Sequence, residues 1–498
     1  MAFVSEDPPP ASPTEDWGCT LDIDRGCSPF DSAVLHCRQA IMSSPVTSPG
    51  SRARHAVDRY VRLASGSSGD AWSGSRQTSI PEQELAHLAS SGGTMSARQT
   101  SFNVSNVIIG VGVLSVPYAL KQSGYVALLL IVIVIYITDT TAKWIGDALQ
   151  AVAERDDVKN VALGARDFGF LAELMIGKRG RALINAVTVM ELWLALVAFM
   201  VMNGTNAKLL WPTVPTSVTV PVMGAVGTAC CLVPQSFYAY LSLISTVTML
   251  AGAVAMVCAS HKLSHWAEPY SEKGWEAVIR IENVPRSIGI IVFCFAGHPC
   301  FPAVATRMKH PEQWHRCVDV SFLVAALYYS CFGLLGFIVF GYRVDPSVAN
   351  NLSEIDSALL LREVAATCFL VKVQLTVPLM MEAVMSAVWP PMLDSPTWPP
   401  GRVLVLVLIG ALTSAASVLL ADALAAIASL AGNLFIMITS VLFPAALRVT
   451  LTRPPAGRCR AALSYANVAA VVAFGVVSAV LGTGLAVSDL WLASRPGP

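Results

Sequence analysis

The sequence predicts an all-α, polytopic membrane protein with about eleven transmembrane helices, arranged as two inverted repeats of five helices plus one extra helix. Of its 498 residues, 54% are hydrophobic and only 13% are charged, whereas about 25% are charged in soluble domains. In addition, two of the long apolar runs are interrupted near their middle by glycine and proline. The formal net charge is zero, so the charge balance indicates no nucleic-acid partner.

Residues 1–97 form the first predicted unit, a disordered cytoplasmic tail rich in Ser, Pro and Gly. A segment of this composition has too few apolar residues to build a packed core. The transmembrane unit follows at residues 98–487, and residues 488–498 are a short C-terminal tail. Because the first apolar run begins only after Ser101, no N-terminal signal peptide is predicted.

Eleven apolar runs follow the tail, each near the length of about 20 residues that crosses the hydrocarbon core. We predict membrane spans at residues 100–121, 125–149, 181–203, 219–235, 239–260, 285–306, 317–340, 358–382, 402–420, 423–447 and 463–487.

The loops between these spans predict an orientation in the membrane. Lys and Arg cluster in the loops after the second, sixth and tenth spans, as at Arg179, Lys309 and Arg453. Cytoplasmic loops carry such an excess of positive charge, so these loops and the tail are expected in the cytoplasm. The sequons at Asn203 and Asn351 then fall on the opposite side, where they are candidate glycosylation sites.

The first predicted span is interrupted between Asn106 and Pro117. Glycine adds backbone freedom and proline removes a donor, so a helix is expected to unwind here. A freed backbone group in hydrocarbon must be satisfied by protein, water or a ligand, which makes the break a candidate substrate site. Its candidate residues are Asn106, Ile109, Gly110, Val111, Gly112 and Ser115.

The sixth predicted span is interrupted in the same way, by Gly297, Pro299 and Pro302. Two five-helix halves that each open with a broken helix are typical of inverted-repeat transporters, whose sites lie between the breaks. Half-helix N-termini there attract a carboxylate, while the carbonyl ends receive an ammonium or a cation. The alternative is that glycine and proline only allow close helix packing. The candidate residues on this side are Phe295, Ala296, Gly297 and His298.

At these two stretches the chain resembles the amino acid/auxin permease family. Within it, the chain is most similar to vacuolar and vesicular amino acid transporters, including the vesicular inhibitory amino acid transporter. The similarity is carried by Phe102 to Leu120 and by Ser287 to Pro302 with Met308, Lys309 and Pro311, and more weakly by Lys372, Pro378, Gly432, Asn433, Phe443 and Pro444. The resemblance implies a LeuT-like fold and amino acid transport that is often driven by protons.

Among the ionisable residues inside predicted spans, where charge is costly and usually functional, three are candidate coupling residues. Glu191 is a candidate for a carboxyl that titrates during transport, and Lys372 is a candidate for a fixed ammonium that replaces a coupling cation. The ordinary pKa of histidine, about 6.5, suits His298 for a proton step. Each also has a structural interpretation: a hydrogen bond or ion pair for Glu191, pairing or snorkelling for Lys372, and a satisfied polar contact for His298.

The sequence therefore predicts a secondary active transporter of amino acids that works by alternating access. Its coupling ion is a proton or, as the alternative, sodium. We expect a monomer in the lipid bilayer, without cofactor or bound metal, and no residue arrangement indicates an enzyme. The resemblance favours a vacuolar, lysosomal or vesicular membrane over the plasma membrane. The alternative function is an amino-acid sensor that signals through its N-terminal tail.

Overall fold

The structure is a computed structural model that describes residues 93, 95–153, 155–159, 161, 166–232, 236–260, 279–355, 358–388 and 400–493. The predicted tail lies outside the described residues except for its last few. Helices stand at the positions of all eleven predicted spans.

Seven helices form the first half of the described chain. They are α1 (Ala97–Ile108), α2 (Val116–Ser123), α3 (Val126–Ala153), α4 (Asp156–Lys159), α5 (Phe168–Leu210), α6 (Thr216–Cys230) and α7 (Ser236–Ser260).

Eight helices form the second half, and two π-helical segments, Ala431–Ile436 and Ile438–Leu442, join the sixth of them to the seventh. The eight helices are α8 (Val284–Cys294), α9 (Phe301–Ala305), α10 (Trp314–Phe340), α11 (Leu359–Val388), α12 (Pro400–Leu419), α13 (Leu424–Leu430), α14 (Phe443–Leu451) and α15 (Arg458–Ala493).

The number of membrane crossings is supported in part by helix length and composition. Seven helical segments of the described chain are long and apolar enough to cross a membrane, and the bent pair of α1 and α2 makes up to eight. Helix α6, with 15 residues, is apolar but shorter. The all-α, multi-pass class is therefore confirmed, whereas the count of eleven crossings stays a prediction.

The ends of two helices show why the sequence places them there. Helix α1 begins with a capping box, in which Ser96 Oγ accepts from the Gln99 N–H at 3.4 Å and Gln99 Oε1 accepts from the Ser96 N–H at 2.9 Å. Helix α5 begins where Asp167 accepts from the Phe170 N–H at 2.6 Å. It kinks at Gly177, whose φ of 73° favours glycine.

The first and sixth spans lie side by side and run in opposite directions. Where the first span begins, the Met95 N–H donates to the Arg307 carbonyl at 2.9 Å, and the Lys309 N–H donates to the Met95 carbonyl at 2.9 Å. Where the first span ends, the Arg280 N–H donates to the Ser123 carbonyl at 3.3 Å. The start of one broken helix thus meets the end of the other at both ends, as an inverted repeat requires.

Ion pairs fix α10 against α3. The Lys143 ammonium pairs with Asp139 at 2.6 Å on its own helix and also with Asp319 of α10. The Asp147 carboxylate of α3 binds His315 of α10 at 2.7 Å. These contacts set the position of α10 beside the broken helices.

The two ends of the burial range show where the centre of the bundle is. In the most apolar stretch of the sixth span, 83% of the residues are buried inside the protein, whereas the corresponding stretch of α15 is 28% buried. An apolar helix that exposes most of its surface faces lipid in a membrane protein. The broken sixth span is therefore central and α15 is peripheral.

Candidate functional site

The first break interrupts the span after Ile108, the last residue of α1. The chain bends by 45° between α1 and the helical stretch that follows it. Gly110 is extended, with φ −106° and ψ −169°, and a short 3-10 turn from Val111 to Ser115 leads into α2. Pro117 lies in the first turn of α2, where its missing donor costs little. The predicted break is thus present at the predicted residues.

The second break interrupts the sixth span after Cys294, the last residue of α8. Gly297 has a φ of 146°, a backbone conformation that residues with a Cβ atom rarely adopt. A 3-10 turn, His298–Cys300, then leads into the short helix α9. At both predicted interruptions, therefore, the helix is broken.

The two breaks touch each other directly. A Cβ atom added to Gly297 would lie 2.6 Å from Val107 Cγ1 of the first break, so only glycine permits this approach. The Cys294 sulfur lies 3.2 Å from the Gly112 carbonyl and 3.2 Å from the Ile290 carbonyl of its own helix. A Cβ on Gly112 would lie 3.1 Å from the same sulfur. Gly112 and Gly297 thus let the backbone of each break approach a side chain of the other break closely.

Tyr329 of α10 joins the two breaks through its hydroxyl group. The Gly110 N–H donates to Tyr329 Oη at 3.1 Å. The same hydroxyl lies 2.9 Å from the Ile108 carbonyl and 3.0 Å from the Cys294 carbonyl, which end α1 and α8. Its ring is fully buried and packs edge-on against Phe295, with centroids 5.0 Å apart.

Sequence reasoning missed Tyr329, although a signal was present. Tyr328 and Tyr329 are adjacent in the middle of the seventh predicted span. A buried tyrosine hydroxyl usually finds a hydrogen-bond partner, and a broken helix nearby is a source of free backbone groups.

The candidate residues of the two breaks divide into a half-buried and a buried set. The half-buried set, which is accessible from the surface of the break, comprises Asn106, Ile109, Gly110, Ala296 and Gly297. The buried set behind it comprises Val111, Gly112, Ser115, Phe295 and His298. The half-buried set therefore supplies the exposed part of the candidate residues at the two breaks.

His298 connects the second break to α3. Its Nε2 lies 3.0 Å from the Thr138 carbonyl and 3.0 Å from Thr141 Oγ1. Because the carbonyl can only accept, Nε2 carries the proton in this contact. Among the described residues Nδ1 has no hydrogen-bond partner. The fully buried ring packs against Phe301, with centroids 4.9 Å apart, so His298 holds the break against α3.

Glu191 of α5 is buried, with 3% of its surface exposed. Its Oε2 accepts a hydrogen bond from Thr439 Oγ1 at 2.7 Å. Thr439 lies in the second π-helical segment, which places a neutral donor rather than a cation beside the carboxyl. In the described part of the chain Glu191 forms no ion pair. Buried carboxylates are usually paired with a cation, and buried carboxyls without one are usually protonated. Glu191 belongs to the group without a described cation.

Lys372 of α11 is buried, with 7% of its surface exposed. Its backbone is tied to α7, because Ser245 Oγ donates to the Lys372 carbonyl at 3.4 Å. No carboxylate pairs with its ammonium among the residues that the structure describes. Among the described residues, no hydrogen bond joins Glu191, His298 and Lys372 to one another.

Both candidate glycosylation sites are buried. Asn203 is fully buried in α5, where its amide donates to Gln374 of α11. Asn351 is 1% exposed, and its amide nitrogen donates to the Arg343 carbonyl at 2.9 Å. A sequon must be accessible to be glycosylated, so burial runs against both sites in the folded protein.

One known protein family matches most of the described chain. The family described as transmembrane amino acid transporter protein matches residues 93–488, a range that holds both breaks and Tyr329. The match begins near the capping box of α1 and ends within α15.

Individual relatives are similar over part of their length. Amino acid transporter AVT1I of Arabidopsis thaliana is 24% identical over 272 residues, 52% of this chain and 63% of that protein. Amino acid transporter AVT1E of the same plant is 25% identical over 348 residues, 67% and 64% of the two chains. The vesicular inhibitory amino acid transporter of Xenopus tropicalis is 23% identical over 271 residues, 52% and 50%. The matches thus span about half to two thirds of these relatives.

Among solved structures, a mutant of the Eremococcus coleocola manganese transporter is 12% identical, with a TM-score of 0.49, over 82% of this chain and 96% of that chain. The resemblance predicted from the two interrupted spans is confirmed by the family match, and the chain belongs to the family of transmembrane amino acid transporter proteins.

Proposed function

We propose that the protein is a secondary active transporter of amino acids, with its substrate site between the two breaks and alternating access as its mechanism. The observation that carries the proposal is that two antiparallel broken helices meet at their breaks, with Gly110 and Gly297 half-buried. Family membership and the names of the relatives agree with this activity. The proposal makes the protein a carrier and assigns it no enzymatic step.

The arrangement suits the two charges of an amino acid. Each break ends one helix and begins another, so it offers carbonyls on one side and, on the other, N–H groups without a partner inside their own helix. The ends of a helix carry partial charges of about −0.5 and +0.5. The substrate carboxylate is placed at the N–H groups that open the Val111–Ser115 turn. The substrate ammonium is placed at the carbonyls that end α1 and α8.

Glu191 is proposed as the proton-coupling residue. It is a buried carboxyl whose described partner is the neutral hydroxyl of Thr439. Protonation therefore removes a buried charge without breaking an ion pair. His298 is the second candidate, although its Nε2 is engaged by the Thr138 carbonyl.

Lys372 is proposed as a fixed ammonium that makes a coupling sodium ion unnecessary. Burying an ammonium without a carboxylate partner costs free energy of folding. A residue kept at that cost is expected to have a function. Transport should accordingly proceed in sodium-free buffer. The membrane proposed for the protein is vacuolar or vesicular, on the strength of the vesicular relative.

The test is uptake by the full chain reconstituted in liposomes with an imposed pH gradient. Each of the twenty standard amino acids is supplied in labelled form, with and without sodium. We expect at least one to accumulate, more strongly with the gradient and independently of sodium. A dependence on sodium would contradict the role of Lys372. No uptake across the panel would contradict transport, and binding without uptake would indicate the sensor.

A further inference from the structure

The hydroxyl of Tyr329 is surrounded by more hydrogen-bonding groups than it can satisfy. It accepts from the Gly110 N–H at 3.1 Å and lies within 3.0 Å of the carbonyls of Ile108 and Cys294. A hydroxyl has one proton, so it donates to one of these two carbonyls at a time. The other carbonyl is left without this donor in the buried interior.

The two carbonyls are the ends of two helices, and this decides which group suits the position best. Ile108 ends α1 and Cys294 ends α8. Two partially negative helix ends thus converge on one oxygen atom. An ammonium brings three donors and a full positive charge to such a position, whereas the hydroxyl brings one donor and no charge.

The three backbone groups also match both charged groups of one small molecule. A zwitterionic α-amino acid presents donors on its ammonium and acceptors on its carboxylate. The Ile108 and Cys294 carbonyls need donors, and the Gly110 N–H needs an acceptor. The Tyr329 hydroxyl, which is donor and acceptor at once, serves both needs incompletely.

We propose that the Tyr329 hydroxyl is an internal substitute for substrate, which holds the two breaks together in the empty protein and is displaced by an α-amino acid. This inference rests on the proposed transport function. The substrate ammonium then binds the Ile108 and Cys294 carbonyls, and its carboxylate takes the Gly110 N–H. Tyr329 is in this sense a positioning residue of the empty state.

The consequence concerns one step of the cycle in particular. Net uptake requires the empty protein to return across the membrane, whereas exchange of internal for external substrate does not. If Tyr329 satisfies the breaks only when substrate is absent, its hydroxyl matters for the empty return and is dispensable for exchange. A hydroxyl that merely holds the fold together would matter equally for both.

The experiment compares Tyr329→Phe with Tyr328→Phe in liposomes. Tyr328 is a matched control, because its ring lies 5.9 Å from that of Tyr329 and its hydroxyl has no hydrogen-bond partner among the described residues. The probe is the labelled amino acid with the greatest uptake in the panel of twenty. It is supplied to empty liposomes for net uptake and to liposomes preloaded with the same unlabelled amino acid for exchange.

We expect Tyr329→Phe to lower net uptake at least about tenfold and to leave exchange within about twofold, because the Gly110 N–H and one of the two carbonyls lose their partner only in the empty state. Tyr328→Phe should leave both rates near those of the unchanged protein. An equal fall of both rates in Tyr329→Phe, or no fall in either, would overturn the inference. Failure of the unchanged protein in both modes would instead refute the proposed transport function.

Thermal unfolding keeps the inference testable if Tyr329→Phe is unstable. The empty variant should unfold at a lower temperature than the unchanged protein. Saturating probe amino acid should remove most of that difference, because the substrate fills the same three backbone groups. The same stabilisation by the amino acid in both proteins would overturn the inference, as would a variant that cannot be purified even with the amino acid present.

Discussion

The two breaks are alike in sequence pattern and differ in how their backbone is held. The first break relies on groups from other helices, namely the Tyr329 hydroxyl and the Cys294 thiol, and Asn106, Ile109 and Gly110 are half-buried. The second break is held to α3 by His298 and turns at a glycine with a φ of 146°. The comparison teaches that two similar interruptions are held differently, the first by side chains of other helices and the second by its own His298 against α3.

The largest expected effect separates the two breaks by one substitution in each. Gly297→Ala forces a left-handed backbone and a contact with Val107 Cγ1 at 2.6 Å, so we expect a cost of about 1–3 kcal/mol or more and uptake near background. Gly110→Ala meets no atom closer than the Ile108 carbonyl at 3.9 Å and should retain most uptake. Initial rates in liposomes and unfolding temperatures measure both. Equal damage from the two variants would contradict the difference between the breaks.

The second prediction asks whether His298, in the second break, takes part in proton coupling. Glu191→Gln removes the carboxyl that can lose and gain a proton, so stimulation of uptake by a pH gradient should vanish while exchange persists. His298→Gln keeps an amide that can donate to the Thr138 carbonyl, and stimulation should remain. The measurement is uptake with and without the gradient. Loss of stimulation in the histidine variant alone would make His298 the coupling residue.

The third prediction tests the direct contact between the breaks. Gly112→Ala brings a methyl group to 3.1 Å from Cys294 Sγ, and overpacking of this kind costs about 1–3 kcal/mol. Cys294→Ala removes the sulfur that the methyl group meets. The double variant should therefore regain part of the unfolding temperature that Gly112→Ala loses. Strictly additive effects of the two substitutions would show that the contact does not couple them.

The smallest expected effect lies at the start of the first broken helix. Ser96→Ala removes the side-chain half of the capping box, and we expect a loss of about 0.5–2 kcal/mol. Ser96→Asn is the control, because asparagine caps as well as serine. Thermal unfolding of the purified variants measures the difference. An alanine variant as stable as the asparagine variant would show that the cap does not stabilise α1.

Much of the fold follows from the sequence because hydropathy and helix breakers report directly on backbone needs. Apolar runs of membrane length predicted the positions of the long helices, and glycine with proline predicted both breaks. Hydropathy does not report on register, so the π-helical segments that carry Asn433 and Thr439 were not predicted. The kink at Gly177, which extends α5 back to Phe168, was also not predicted.

The site was predictable where it consists of backbone and less so where it consists of side chains. The break residues follow from local sequence, whereas Tyr329 meets Gly110 of the first break from a position 219 residues away in the chain. Asn203 was expected at the end of a span, but α5 continues to Leu210, so the asparagine is buried inside the bundle. Asn351 lies in the 3-10 segment Val348–Glu354, and its amide binds the backbone of the preceding loop, at the Asp345 N–H and the Arg343 carbonyl.

The pairing of Met95 with Arg307 and Lys309 has a mechanical consequence. Two backbone hydrogen bonds of 2.9 Å each join the entrance of the first broken helix to the exit of the second. Each such bond contributes about 0.5–1.5 kcal/mol net. A tilt of either half-helix at this end must therefore carry the other along or break both bonds. The chain that precedes Met95 is attached at this pair of hydrogen bonds, so a force on that chain acts on both half-helices together.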